Sequence, residues 1–173
     1  MTGRAPTARV LAAPLLTAFM VAGLATSTVP TAAAAADVTL GPLTIEQPWA
    51  RASAGMARAG AAFMTITNDG AADRLIAAAA DVSDVVELHT HIKDGDVMRM
   101  RKIDAIEITG GTATHLRPGG LHIMFIGLHA PLEKGETFPV SLTFETAGTI
   151  DITVTVQDVA AMAPAGAAPG AMH

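Results

Sequence analysis

His89, Met100, His122 and Met124 are two imidazoles and two thioethers in a chain that contains no cysteine. Thioether sulfur is a soft, uncharged ligand that suits Cu(I) and few other biological metals, and imidazole suits copper as well. In an oxidising compartment such a set holds a soft ion where thiols would oxidise to disulfides. The chemistry these residues point to is the binding of Cu(I).

The elements that must position them are short β segments. Val85–Ile92 and Val97–Arg101 flank Lys93-Asp94-Gly95-Asp96, and Asp-Gly favours a type I′ hairpin turn because both central residues tolerate positive φ. With Asp94-Gly95 at the turn, Ile92 meets Val97, His91 meets Met98, and His89 meets Met100. Side chains alternate faces with period two, so His89, His91, Met98 and Met100 share one face of the hairpin. Directly opposed residues have Cβ atoms about 4.5–5.5 Å apart, close enough for imidazole and thioether to reach one ion. In His122-Ile123-Met124 the outer two residues also share a face, and Pro118-Gly119 suits a type II turn that starts this strand. If that strand lies beside the hairpin, the four side chains form a neutral N₂S₂ set. His91 and Met98 are alternative ligands, supports of the ligands, or a neighbouring weak site. Met64 reads as core filler, and His115, in a polar loop, and His129, beside a turn, read as solvent-exposed.

Further runs of the same kind are Val38–Ile45, Ala61–Asn68, His122–Ile126, Thr137–Phe144 and Thr149–Val156. Turn signals separate them: Asn68-Asp69-Gly70, Arg117-Pro118-Gly119-Gly120 and Lys134-Gly135. Many short strands so punctuated predict an all-β sandwich or barrel. Asp73–Ala80 is read as a strand or a turn of helix. Residues 160–173 are almost all Ala, Pro, Gly and Met and predict a flexible tail. Its Met162, Met172 and His173 are a candidate second ligand set, for Cu(II) as well as Cu(I), or a lid over the main site.

The chain has 173 residues, enough for one domain. Arg4 and Arg9 precede an uncharged run, Val10 to Leu24, and Ala34-Ala35-Ala36 supplies small residues: the pattern of a cleaved secretory signal over residues 1–36. The run is shorter than the roughly 18–20 residues that span a bilayer, so no stable membrane anchor is expected. With no cysteine after it, lipid attachment through a cysteine is not expected either. Residues 37–159 are then the binding domain. From residue 37 onward there are 9 Lys+Arg against 16 Asp+Glu, a balance of −7, which argues against a nucleic-acid partner and is compatible with attracting cations.

The spacing is also familiar. His89 and Met100 enclose ten residues, Met100 and His122 enclose twenty-one, and Ile123 alone separates His122 from Met124. With Pro48-Trp49-Ala50-Arg51, Val86-Glu87-Leu88-His89, Arg117-Pro118-Gly119-Gly120 and the Gly127-Leu128 and Pro131-Leu132 pairs, the chain resembles the periplasmic copper chaperones of PCuAC type from about Leu40 to Val156. It departs at His91, where members often have Met, and in the tail. The resemblance implies a cupredoxin-like β-sandwich, Cu(I) on His89, Met100, His122 and Met124, and delivery of periplasmic copper for cytochrome c oxidase assembly. The implied recipients are the oxidase's copper-centre subunit or a Sco-type thiol protein.

Rival functions lack their residues. A blue-copper electron carrier needs a cysteine thiolate. A hydrolase of the Gly-x-Ser-x-Gly type needs an elbow this chain does not contain. No histidine stands at the expected mature N-terminus, Asp37, to form a copper-enzyme brace, so no enzyme is expected. A copper store that protects the compartment would use the same ligands together with the tail.

Overall fold

The computed structural model describes residues 36–53, 55 and 58–165, together with residue 2. Most of the expected leader, and Met172 and His173 of the tail, lie outside the described residues. Eleven strands succeed one another: β1 (Val38–Leu40), β2 (Leu43–Arg51), β3 (Ala59–Asn68), β4 (Asp73–Ala79), β5 (Ser83–Asp94), β6 (Val97–Lys102), β7 (Ile106–Ile108), β8 (Thr112–Leu116), β9 (His122–Leu128), β10 (Thr137–Phe144) and β11 (Gly148–Gln157). They form one hydrogen-bonded path in the order β6-β5-β9-β3-β2-β11-β10-β4-β7, with β1 added to β2 and β8 to β3. All-β architecture is what the alternating runs predict.

Two long strands change neighbours part-way. The first half of β3 pairs β9 and its second half pairs β8. The start of β2 pairs β1, while its end runs parallel to β11. The path therefore encloses one buried cluster, to which β2 gives Leu43 and Ile45, β9 gives Ile123 and Phe125, β10 gives Leu142, and β11 gives Ile152. Burying each such side chain stabilises the fold by roughly 1.5–3 kcal/mol. Met64 is 2 % exposed and belongs to this cluster.

A bulge in β2 prepares the site. Pairing shifts by one residue between Glu46 and Trp49, and Gln47 takes a left-handed φ of 47°. The extra residue of a bulge re-aims the side chains beyond it. Leu43 and Ile45 point into the core, as does Ala50, but Trp49 is opposite Phe63, and neither ring joins the core cluster.

The structure corrects the expectations at Val38–Ile45 and His115, and decides the Asp73–Ala80 alternative for strand. Val38–Ile45 is two strands, because Gly41 (φ 58°) folds the chain back and pairs Leu40 with Leu43. Asp73–Ala79 is a strand between β10 and β7. His115 lies in β8 rather than a loop; its ring is exposed and bonds the Thr65 hydroxyl at 3.1 Å.

The β3–β4 corner is tied to the β10–β11 turn through Asp73. Its carboxylate accepts from the backbone N–H groups of Arg74, Thr146 and Ala147 at 2.7, 2.9 and 2.9 Å. Burial pushes its pKa up, but those bonds outweigh burial and hold it below the usual carboxylate range. The sign comes from linkage: this stabilisation is complete above the unfolded value of about 3.9 and is lost as pH falls through the lower folded value. We expect Asp73→Ala to cost on the order of 1–3 kcal/mol at neutral pH, from the stranded donors. In urea unfolding, the gap between wild type and variant closes as pH drops below the carboxylate range.

Candidate metal centre

His89, Met100, His122 and Met124 come from three neighbouring strands. β9 lies beside β5 with His89 opposite His122 and Glu87 opposite Met124. β6 lies on the other side of β5. Alternation puts Glu87, His89 and His91 of β5, Met98, Met100 and Lys102 of β6, and His122 and Met124 of β9 on one face, away from the core. The turn at Arg117–Gly120 that launches β9 is the expected one: Gly119 has φ 78°, and the Gly120 N–H donates to the Arg117 carbonyl at 3.0 Å.

The hairpin register differs from the sequence expectation. Asp94 pairs with Val97, so Gly95 and Asp96 form the turn, His91 is opposite Met100, and His89 is opposite Lys102. Gly95 takes the single left-handed φ of 63° at the first central position, the signature of a type II′ turn rather than I′. The shift is two residues, which preserves every side chain's face. Met100 is therefore diagonal to His89 and directly across from His91.

The imidazoles are arranged for ligation. His122 is 2 % exposed, and its Nδ1 bonds the Gly120 carbonyl at 2.9 Å. A carbonyl can only accept, so that nitrogen carries the proton and Nε2 keeps its lone pair. Burial lowers the His122 pKa, the Gly120 carbonyl opposes that shift, and the neighbouring His91 and His89 add to it, so the ring stays neutral below the ordinary imidazole range. On His89 the Nε2 bonds Glu87 Oε2 at 2.8 Å, while the buried Nδ1 has no hydrogen-bond partner. With Nε2 donating to the carboxylate, that nitrogen keeps its lone pair, although His89 does not itself line the pocket that opens on this face. The hydrogen bond from His89, then one from Lys102, holds the Glu87 carboxyl below its usual range. A carboxylate behind a ligating imidazole orients it and raises its basicity.

Ring centres of His89 and His91 lie 5.8 and 5.1 Å from that of His122. Metal–imidazole bonds are about 2 Å long, so either pair can straddle one ion. A pocket of about 400 Å³ opens on this face, lined by His91, Met100, His122 and Met124 with Phe63 and Arg51 at its wall. Trp49 and Phe63 stand in line behind His122, ring centres 4.7 and 6.3 Å apart in turn. Among the described residues no three His, Asp or Glu side chains form a group able to hold a metal. Met98 shares the face and is exposed; Met162 lies against Arg51, whose guanidinium donates to its sulfur at 2.8 Å and to the Ala161 carbonyl at 2.7 Å.

Sequence reasoning missed the support behind the ligands. Glu87 is legible from period two, since it precedes His89 by two residues. The aromatic backing is not, because the bulge that turns Trp49 outward leaves little signal beyond Pro48.

A family described as "Putative lipoprotein LpqE-like" matches residues 43–156. The chain belongs to the LpqE-like family. This member is 33% identical over 117 residues to "Putative lipoprotein Lxx21020" of Leifsonia xyli subsp. xyli (strain CTCB07), covering 66% of this chain and 69% of that one. Among solved structures, the apo PmoF2 PCuAC domain is similar at 26% identity and TM-score 0.62, over 73% of this chain and 98% of that one. CuI-DR1885 from Deinococcus radiodurans is similar at 28% identity and TM-score 0.53, over 65% and 78%. The LpqE-like domain thus has the cupredoxin-like β-sandwich of PCuAC domains.

Proposed function

We propose that this protein is an exported copper chaperone that binds Cu(I) through His89, Met100, His122 and Met124 on the outer face of β5, β6 and β9. The observation that carries the reading is the unpartnered, buried Nδ1 of His89 on the same face as His122 and two thioethers. Glu87 positions His89. His91, across from Met100, is the ligand that can enter as another leaves, and Met98 is the next sulfur outward. Similarity to the CuI form of DR1885 and to PCuAC domains supports copper as the cargo.

Neutral ligands suit a carrier. They grip Cu(I) by softness without the added charge of thiolates, so a thiol acceptor can displace them one at a time. We assign residues 1–36 as the leader that sends the domain to the periplasm, and cytochrome c oxidase assembly as the destination of the metal. The copper-centre subunit of the oxidase or a Sco-type thiol protein would take it.

X-ray absorption on the Cu(I)-loaded domain tests the assignment. Two sulfur and two nitrogen scatterers at about one ion per chain are expected. An all-nitrogen shell would refute the ligand set, and several equivalent ions per chain would favour a copper store.

A further inference from the structure

The net negative charge of the protein is not spread evenly. The strands and turns that carry the ligand face are residues 51–63, 85–102 and 117–126; within them Arg99 and Arg101 alternate onto the reverse side of β6. Of the nine basic side chains from residue 37 onward, only Arg74 and Lys134 lie outside those three segments. Of the sixteen acidic ones, only Glu87, Asp94 and Asp96 lie inside them. Glu87 is engaged by Lys102 and His89, and Asp94 by Arg99 at 3.3 Å. Lys93, level with His89 and His91 by parity, and Arg117 have no carboxylate within ion-pair distance among the described residues.

The same side of the molecule holds the exposed apolar surface. Of the eight large exposed hydrophobic side chains among the described residues, Met98, Met100, Val85 and Ile126 stand on the ligand face, Val159 lines the pocket and Met162 lies against Arg51. Met98 and Met100 are 56 % and 55 % exposed, and Val85 and Ile126 are directly paired across β5 and β9 on the ligand face. An apolar centre with a charged rim is the anatomy of a protein interface. A basic rim repels a free monovalent cation, so it does not serve collection of the bare ion.

We propose that this face is a docking surface for an acidic protein that takes the ion; this rests on the Cu(I) reading above. The partner carries carboxylates around an exposed pair of thiols. The carboxylates meet Lys93 and Arg117, which brings the thiols over Met100. As each thiol sulfur bonds the ion it loses its proton to water, and a thioether sulfur leaves; copper remains Cu(I) throughout. Complementary charge raises encounter rates by about 10–10³-fold, and salt removes the gain.

The test uses two synthetic dithiol peptides, one flanked by glutamates and one by lysines, and stopped-flow transfer of Cu(I) from the loaded protein. The glutamate peptide should accept the ion at least about tenfold faster at low salt, with the advantage gone at high salt. The double variant Lys93→Glu, Arg117→Glu, both exposed, should reverse the preference while leaving Cu(I) affinity, read by chelator competition, unchanged. Equal rates for the two peptides would overturn the proposal. So would tight binding to phosphatidylglycerol vesicles with no peptide preference, which would make this a membrane-facing surface. Methyl NMR of Met98 and Met100 in the metal-free protein separates the two readings. Shifts on adding the glutamate peptide, but not the lysine peptide, report docking even if no copper binds; absence of such shifts in a protein that does bind Cu(I) rejects docking alone.

Discussion

Met100→Leu combined with Met124→Leu is expected to leave a folded domain whose Cu(I) affinity has fallen by at least roughly 100-fold. Loss of a single residue that merely supports a ligand costs about 10–100-fold in metal affinity, and here both proposed sulfur ligands go. What remains is imidazole, which suits Cu(II) as well as Cu(I), so the preference for the monovalent ion should fall with the affinity. Met-to-Leu exchanges nearly conserve volume and cost less than about 1.5 kcal/mol even in a core; Met100 is half-exposed and Met124 partly so. Met64→Leu supplies the control, because Met64 is 2 % exposed inside the core and away from the ligand face. Competition against a chromophoric Cu(I) chelator reads all three proteins. A double variant that competes as well as wild type would remove sulfur from the site.

The contrast between the thioethers shows what a sequence can and cannot convey. Parity decides face, and parity is readable: period two puts His89 with Met100 on one face of the hairpin and His122 with Met124 on one face of their strand, and a two-residue slip of the hairpin does not disturb it. Opposition depends on which two residues make the turn. Asp94-Gly95 and Gly95-Asp96 are both acceptable to the backbone, and tertiary context favours the second, which exchanges His89 for His91 as the residue facing Met100. Strands are visible where β-branched residues run long and invisible where they are short or half polar. β7 has three residues, and β8 buries only Leu116. The order in which strands neighbour one another has no local signature, so the meeting of β9 with β5 has to be supposed. The aromatic backing has the same origin, since the Trp49–Phe63–His122 alignment needs β2 and β3 in sequence beside β9, whereas the Gly120 carbonyl on His122 is a local contact two residues away.

The second large effect is on stability, at the end of the fold where β3 leaves for β4. Asn68→Ala is expected to destabilise the domain by about 3 kcal/mol or more, near the upper range for a lost buried polar side chain. Asn68 is fully buried at the last position of β3. Its Nδ2 donates to the carbonyls of Ala71 and Ile108 at 2.8 and 3.2 Å, and its Oδ1 accepts the Gly70 N–H at 2.9 Å. One side chain thus closes the Asp69-Gly70 turn and holds it to the end of β7. Its own carbonyl accepts the Gly111 N–H at 2.7 Å, which ties in the β7–β8 turn. Space here is tight: a Cβ at Gly110 would meet the Gly70 carbonyl oxygen. Alanine strands two acceptors and a donor, each costing roughly 1–3 kcal/mol where water does not reach it. Asp is the informative comparison, because it keeps the acceptor for Gly70 but puts a negative oxygen against two carbonyls, so it should be as damaging as Ala or worse. Urea unfolding followed by Trp49 fluorescence measures both, and a loss below about 1 kcal/mol for Asn68→Ala would mean that water replaces the amide. Chelator competition on the same variants should show Cu(I) affinity unchanged in the folded fraction, since the corner shares no side chain with the ligand face.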